Sequence, residues 1–255
     1  MNQTLDVLAF GTHPDDLELA CGGTLLLLAN QGHRVGGVDL TRGELGTRGS
    51  EQTRAKEAAA AAQVLRLCLR ENLGIPDGHI EKSQENILRV IRVIRQYRPR
   101  LVLAPYREER HYDHVHASEL VAEAAFYSGL AKIETGQESF RPFRVLFYAG
   151  RISFRPSFVV DILETFAAKM RALRCYRSQF HRGEEEEGAP AEPETLLSTP
   201  YALEVFETMA RHCGAMIGAQ YGEAFWMREA LELPDLVEFF REFPDSKQPH
   251  LFPAR

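Results

Sequence analysis

Short apolar runs alternate with longer stretches of helical pattern through the first half of the chain, and this alternation decides what the chain can fold into. Leu5–Gly11 (LDVLAFG) is an apolar run closed by a polar turn, and a helical stretch follows it to Leu28, the opening of a βα unit. The pattern repeats. Arg34–Leu40 reads as a second strand, the glycine-rich loop TRGELGTRGS follows, and a helix runs from Glu51 to about Leu65 with Ser50 as its N-cap. Leu67–Leu73 is a third strand, Ser83 caps a helix that reaches Tyr97, and Arg98 and Pro99 end it before a fourth strand, Leu101–Pro105. Parallel strands need crossover connections and those crossovers are right-handed, so the pattern predicts an α/β fold: a Rossmann-like, mostly parallel sheet with helices on both faces. In the common strand order 3-2-1-4, strands one and four are neighbours, and the crevice beyond their carboxyl ends is the usual ligand site.

The second half is less regular. Ala117–Ser128 reads as a helix, Val145–Tyr148 and Phe158–Val160 as strands, Ile162–Arg174 as a helix and Ala202–Ile217 as the last long helix. The stretch HRGEEEEGAPAEPE marks a flexible, solvated acidic loop over about 181–200. With 255 residues, 44% of them hydrophobic, the chain is long enough for a substantial core, and residues 1–255 are read as one domain. A net charge of −6 with scattered Lys and Arg lacks the basic stripe of a nucleic-acid binder. Nothing approaches the roughly 18 to 20 apolar residues that span a bilayer, so neither nucleic acid nor membrane is expected as a partner and the expected location is cytoplasmic. Cys21, Cys68, Cys175 and Cys213 are too widely spaced for a CxxC motif and read as small buried residues.

Two polar clusters fall at the ends of strands one and four: His13-Pro14-Asp15-Asp16 and His111-Tyr112-Asp113-His114. A helical turn beginning at Pro14 would project His13 and Asp16 the same way and swing Asp15 aside, which gives the two carboxylates different tasks. The same offset lets two imidazoles of the second cluster reach toward one site. A catalytic zinc takes three ligands from His, Asp, Glu and Cys and leaves a fourth position for water, whose pKa falls toward about 7. Two His and one Asp satisfy that count, leaving a carboxylate to take a proton from water and a spare His to donate to the oxyanion or the leaving amine. Taken alone, HPDD is equally a helix start with Pro14 in the first turn, and HxxH is ordinary loop polarity. Their predicted meeting at one crevice favours chemistry. Two His and a carboxylate also make the facial triad of iron(II) oxygenases, but those enzymes are built on β-barrels. A nucleotide-binding module is disfavoured because the first turn is GTHPDD and not GxGxxG.

GTHPDD, TRGELGTRGS followed by Arg54, and APYREERHYDH together resemble the LmbE-like (PIG-L) N-acetylglucosaminyl deacetylases. Within that family TRGELGTRGS, YRSQF at Tyr176–Phe180 and QYGEAF at Gln220–Phe225 are most similar to the bacillithiol biosynthesis deacetylases. The resemblance implies a zinc hydrolase on a Rossmann-like sheet that converts N-acetylglucosaminyl malate to glucosaminyl malate and acetate. It implies His13, Asp16 and His114 as ligands of Zn2+, Asp15 as general base, His111 as the group that stabilises or protonates the tetrahedral intermediate, and Asp113 as the carboxylate that orients His111. It makes Arg54 a substrate contact, suited to the malate carboxylates by its bidentate geometry, with Arg110, Arg48 and Tyr106 as weaker candidates. Tyr112 stands where the family usually has proline, and Thr12 where it often has alanine. A homo-oligomer, up to a hexamer, is also implied. Iron(II) accepts the same ligands, and a mycothiol precursor, diacetylchitobiose or another N-acetylglucosamine conjugate are the alternative substrates.

Overall fold

The computed structural model describes residues 4–152, 154–180 and 193–241. Its centre is β1 (Val7–Gly11), every residue of which is buried. A strand buried on both faces must be apolar throughout, and VLAFG is. Its side chains alternate between two cores. Leu8 and Phe10 face α4 (Gln84–Tyr97) and α5 (Tyr112–Tyr127), where they join Ile91, Ile94, Leu120 and Val121. Val7 and Ala9 face the other way, onto Leu17, Cys21 and Leu25. Those residues belong to a helix broken at Cys21 into α1 (Asp16–Ala20) and α2 (Gly22–Asn30).

The remaining elements are β2 (Val35–Asp39), α3 (Glu51–Val64), β3 (Leu69–Asn72), β4 (Leu101–Pro105), β5 (Arg144–Tyr148), β6 (Phe158–Asp161), α6 (Leu163–Leu173), α7 (Ala202–Ala215), β7 (Gly222–Met227) and α8 (Leu236–Arg241). Among the described residues the sheet has seven strands, in the order β3-β2-β1-β4-β5-β7-β6. The first five pair in parallel, and β1 is flanked by β2 and β4 as the 3-2-1-4 order requires. Local signals behave as their chemistry dictates. Ser50 Oγ accepts the Thr53 amide and Ser83 Oγ accepts the Asn86 amide, each at 3.2 Å, capping α3 and α4.

Two features depart from expectation, and a third expectation is not tested. Helix α5 begins at Tyr112 and not near Ala117, so HYDH is a helix start with His111 as its N-cap. Strand β7 was not foreseen; it inserts between β5 and β6, antiparallel to both. The acidic run expected to form a flexible loop lies mostly in 181–192, outside the described residues. Among the described residues no helix is long and apolar enough to cross a membrane.

Candidate active site and metal centre

The HPDD segment leaves the end of β1 and folds back on itself. The His13 amide donates to Asp16 Oδ2 at 2.8 Å, and the Asp16 amide donates to the His13 carbonyl at 3.2 Å. Between them Asp15 adopts φ 119°, a region that L side chains rarely occupy. The two carboxylates therefore part: Asp16 turns toward His13 while Asp15 meets the guanidinium of Arg54, Nη2 to Oδ2 3.0 Å. From the end of β4, His114 in the first turn of α5 brings its Nε2 to 3.3 Å from Asp16 Oδ2.

His13, Asp16 and His114 thus offer ligand atoms that all lie within 4.8 Å of one another. Two imidazoles and one carboxylate suit zinc with a position left for water, and they suit iron(II) equally. A second set, His13, His111 and Asp113, is as closely grouped and shares His13 with the first. Asp113 Oδ2 accepts the Gly78 amide at 2.7 Å, and His111 Nδ1 accepts the Asp113 amide at 3.2 Å. The first set is the candidate metal centre. The three imidazoles form a triangle with ring centroids 5.0 to 5.4 Å apart.

Charge sharpens the division between the carboxylates. Asp15 is pushed up to about 7: burial raises it most, Arg54 pulls against that rise and Asp16 adds to it. Burial also works against Asp16, but His114 and His13 beside it hold it well below the usual carboxylate range. Burial lowers His111, and His13 and His114 lower it further. His13 behaves oppositely: burial disfavours its charge, yet Asp113, Asp16 and Asp77 raise it well above the ordinary histidine value.

A cavity of about 340 Å³ opens over these groups. Arg54 and Arg110 line it, as does Arg151, which the sequence did not single out. Arg54 is buried and committed: besides Asp15 it donates to the Pro14 carbonyl, and Gly43, at φ +67°, lies so close that a Cβ there would overlap the guanidinium. Two expected substrate contacts sit elsewhere. Tyr106 is buried in the α4–α5 core against Phe154 and Trp226, at 4.3 and 5.5 Å between ring centroids, and does not line the cavity. Arg48 also lies outside the lining and turns its Nε to the Ser178 carbonyl at 3.1 Å. The Asp113 carboxylate also differs from expectation. It bonds Gly78 and approaches His13 Nε2 at 3.7 Å, so its side-chain contacts run to the first histidine, and its hydrogen bond to His111 is through its backbone amide.

Two motifs prove to be supports for this floor. In YRSQF, Tyr176 donates to Glu18 at 3.1 Å and Ser178 bonds both oxygens of Glu57, each at 2.7 Å. In QYGEAF, Glu223 accepts the Gly23 and Thr24 amides at the start of α2 and pairs with Lys169 at 2.6 Å. Asp77 was missed altogether. It stands in IPDGH beyond β3 and meets His13 Nε2 at 3.0 Å.

Residues 8–125, which contain both ligand clusters, match the profile of the family described as PIG-L: GlcNAc-PI de-N-acetylase. The chain belongs to the PIG-L family. Among its relatives is the diacetylchitobiose deacetylase of Thermococcus kodakarensis, 29% identical over 236 residues, 87% of this chain and 82% of the relative. The crystal structure of a conserved protein from Thermus thermophilus is 38% identical and superposes with a TM-score of 0.81, covering 91% of this chain and 98% of that one. The 4-oxalmesaconate hydratase of Pseudomonas putida is 27% identical over 195 residues, 68% of this chain and 74% of the relative. Proteins similar to this chain therefore include a hydratase as well as a deacetylase.

Proposed function

We propose that the protein hydrolyses the N-acetyl group of N-acetylglucosaminyl malate, with zinc held by His13, Asp16 and His114. As a PIG-L member the enzyme is a metal-dependent deacetylase of N-acetylglucosamine-type conjugates. The observation that supports the chemistry is the split at Asp15 and Asp16, which turns one carboxylate into the candidate ligand group and the other against the Arg54 guanidinium. The malate aglycone is supported by the likeness of three motifs to the bacillithiol branch and by Arg110 and Arg151 on the cavity wall, since guanidinium groups bind carboxylates bidentately.

When bound, zinc supplies Lewis acidity that acidifies water and polarises a carbonyl. Asp15 takes a proton from the attacking water; burial works against its charge and the Arg54 guanidinium favours it, so the carboxyl is balanced between accepting and returning that proton. His111 is held neutral, and because its Nδ1 accepts the Asp113 amide its proton sits on Nε2. A neutral imidazole of that tautomer donates a hydrogen bond to the developing oxyanion; protonation would break the bond that caps α5. Asp15 then returns its proton to the departing nitrogen. The water oxygen has bonded to the acetyl carbon, the C–N bond has broken, and acetate and the free amine leave.

The test compares acetate release from N-acetylglucosaminyl malate, diacetylchitobiose and free N-acetylglucosamine. The malate conjugate should lead in kcat/KM by about 10- to 100-fold, what one charged hydrogen bond supplies. Equal turnover of all three would withdraw malate and leave deacetylation. Hydration of 4-oxalmesaconate without acetate release from any of them would move the protein to the hydratase's chemistry.

A further inference from the structure

The ring of His13 has two nitrogens and both are committed. Nδ1 lies 3.5 Å from Asp16 Oδ2, on the side of the ligand group, and Nε2 lies 3.0 Å from Asp77 Oδ1. The Asp77 side chain is almost fully buried, as is that of His13. The other Asp77 oxygen accepts the Leu45 amide at 3.1 Å, and the Asp77 amide donates to Glu44 Oε1 at 2.9 Å. The next residue, Gly78, gives its amide to Asp113 and stands at φ +74°, where a Cβ would also press on the Leu45 side chain at 2.9 Å. The short turn after β3 thus touches the HPDD segment, the loop after β2 and the start of α5. Leu45 and Gly46 of that loop line the cavity.

We propose that Asp77 is a positioning residue: it holds His13 in the tautomer and orientation that present Nδ1 to the metal, and it ties the cavity-lining 42–46 loop to that ligand. The inference rests on His13, Asp16 and His114 holding the metal. A carboxylate on the far nitrogen of a metal-binding imidazole fixes the ring and raises its basicity, and its loss weakens metal binding by about 10- to 100-fold. Asp77 accepts two donors, His13 Nε2–H and the Leu45 amide, and asparagine has one oxygen for the two. Asp77→Asn should therefore retain part of what Asp77→Ala loses.

The experiment is competition for zinc between the stripped protein and a chromogenic chelator, with the visible absorption of the Co2+-substituted protein recorded alongside. Wild type should bind one zinc and His114→Ala should lose it. Asp77→Ala should bind about 10- to 100-fold more weakly, Asp77→Asn should fall between, and both should shift the Co2+ bands while melting cooperatively without metal. Wild-type affinity and an unchanged Co2+ spectrum in both variants would overturn the proposal; should Asp77→Ala not fold, Asp77→Asn decides it alone. If wild type takes up no zinc, or His114→Ala binds it as well, the metal assignment itself fails and Asp77 falls with it.

Discussion

Arg54 reaches across from α3 to place Nη2 3.0 Å from Oδ2 of Asp15, a carboxylate held by a backbone at φ 119°. This cation opposes the upward push of burial on Asp15. Arg54→Met removes it, so Asp15 should keep its proton to higher pH. A general base works unprotonated, so activity rises with pH, and the acid limb of the rate profile should move upward in the variant. At neutral pH kcat should fall by about 10- to 100-fold, part of what a general base contributes, with zinc content unchanged. A kcat–pH profile and metal analysis check both.

His13 contributes to the pH dependence of the metal-free protein on the alkaline side. Burial opposes its charge, but Asp113, Asp16 and Asp77 raise its pKa well above the ordinary value of 6.5. Its contribution to stability is fully present below the unfolded value and is lost as pH rises through the raised folded value. Stripped protein should therefore lose melting temperature on the alkaline side of about 6.5. Zinc must displace that proton, so apparent zinc affinity should climb by up to about tenfold per pH unit over the same window. Melting curves and chelator competition across that window measure the two trends, which run in opposite directions.

His111→Ala removes an N-cap and an oxyanion donor together. We expect a loss of about 0.5–2 kcal/mol in stability and a fall of about 10²- to 10³-fold in kcat, with zinc still bound. His111→Asn restores a cap and should recover the stability without the rate. Denaturant unfolding and steady-state kinetics on the pair separate the two roles.

Beneath the site, Arg70 binds both oxygens of Asp39 at 2.6 and 2.8 Å and Glu18 at 3.0 Å, all buried. Arg70→Met would leave two buried carboxylates without their cation. Breaking such a group costs about 3–5 kcal/mol, so the urea midpoint should drop steeply. A variant unfolding as wild type would show that the carboxylates take up protons instead.

The half of the fold that sequence made legible is the half where each strand is followed by a helix. Apart from the terminal Asp39, Val7–Gly11, Val35–Asp39 and Leu101–Pro105 are apolar or small and alternate with helices, so their order and the meeting of HPDD with HYDH followed from connection rules. Strand β7 breaks that rhythm. GEAFWM arrives last in the sheet, is inserted between two earlier strands and carries a charged residue, Glu223, that is buried only because Lys169 and two amides meet it. The start of α5 was hidden because histidine is an unusual N-cap and the alanine-rich pattern begins later. Tyr106 sits next to a reactive loop in sequence, but its ring follows the sheet's alternation into the core. Asp77 is one acid in a turn, and nothing local distinguishes it until the fold brings it 64 residues back to His13.

The most direct measurement is a zinc titration of chelator-stripped enzyme that reads bound metal and acetate release from N-acetylglucosaminyl malate together, in wild type and in Asp15→Asn. Wild-type activity should appear in step with one zinc per chain, while Asp15→Asn should fill with zinc and turn over about 10²- to 10⁴-fold more slowly. Full activity in stripped enzyme, or an Asp15→Asn variant that cannot hold zinc while Asp16→Asn can, would contradict the assignment of ligand and base.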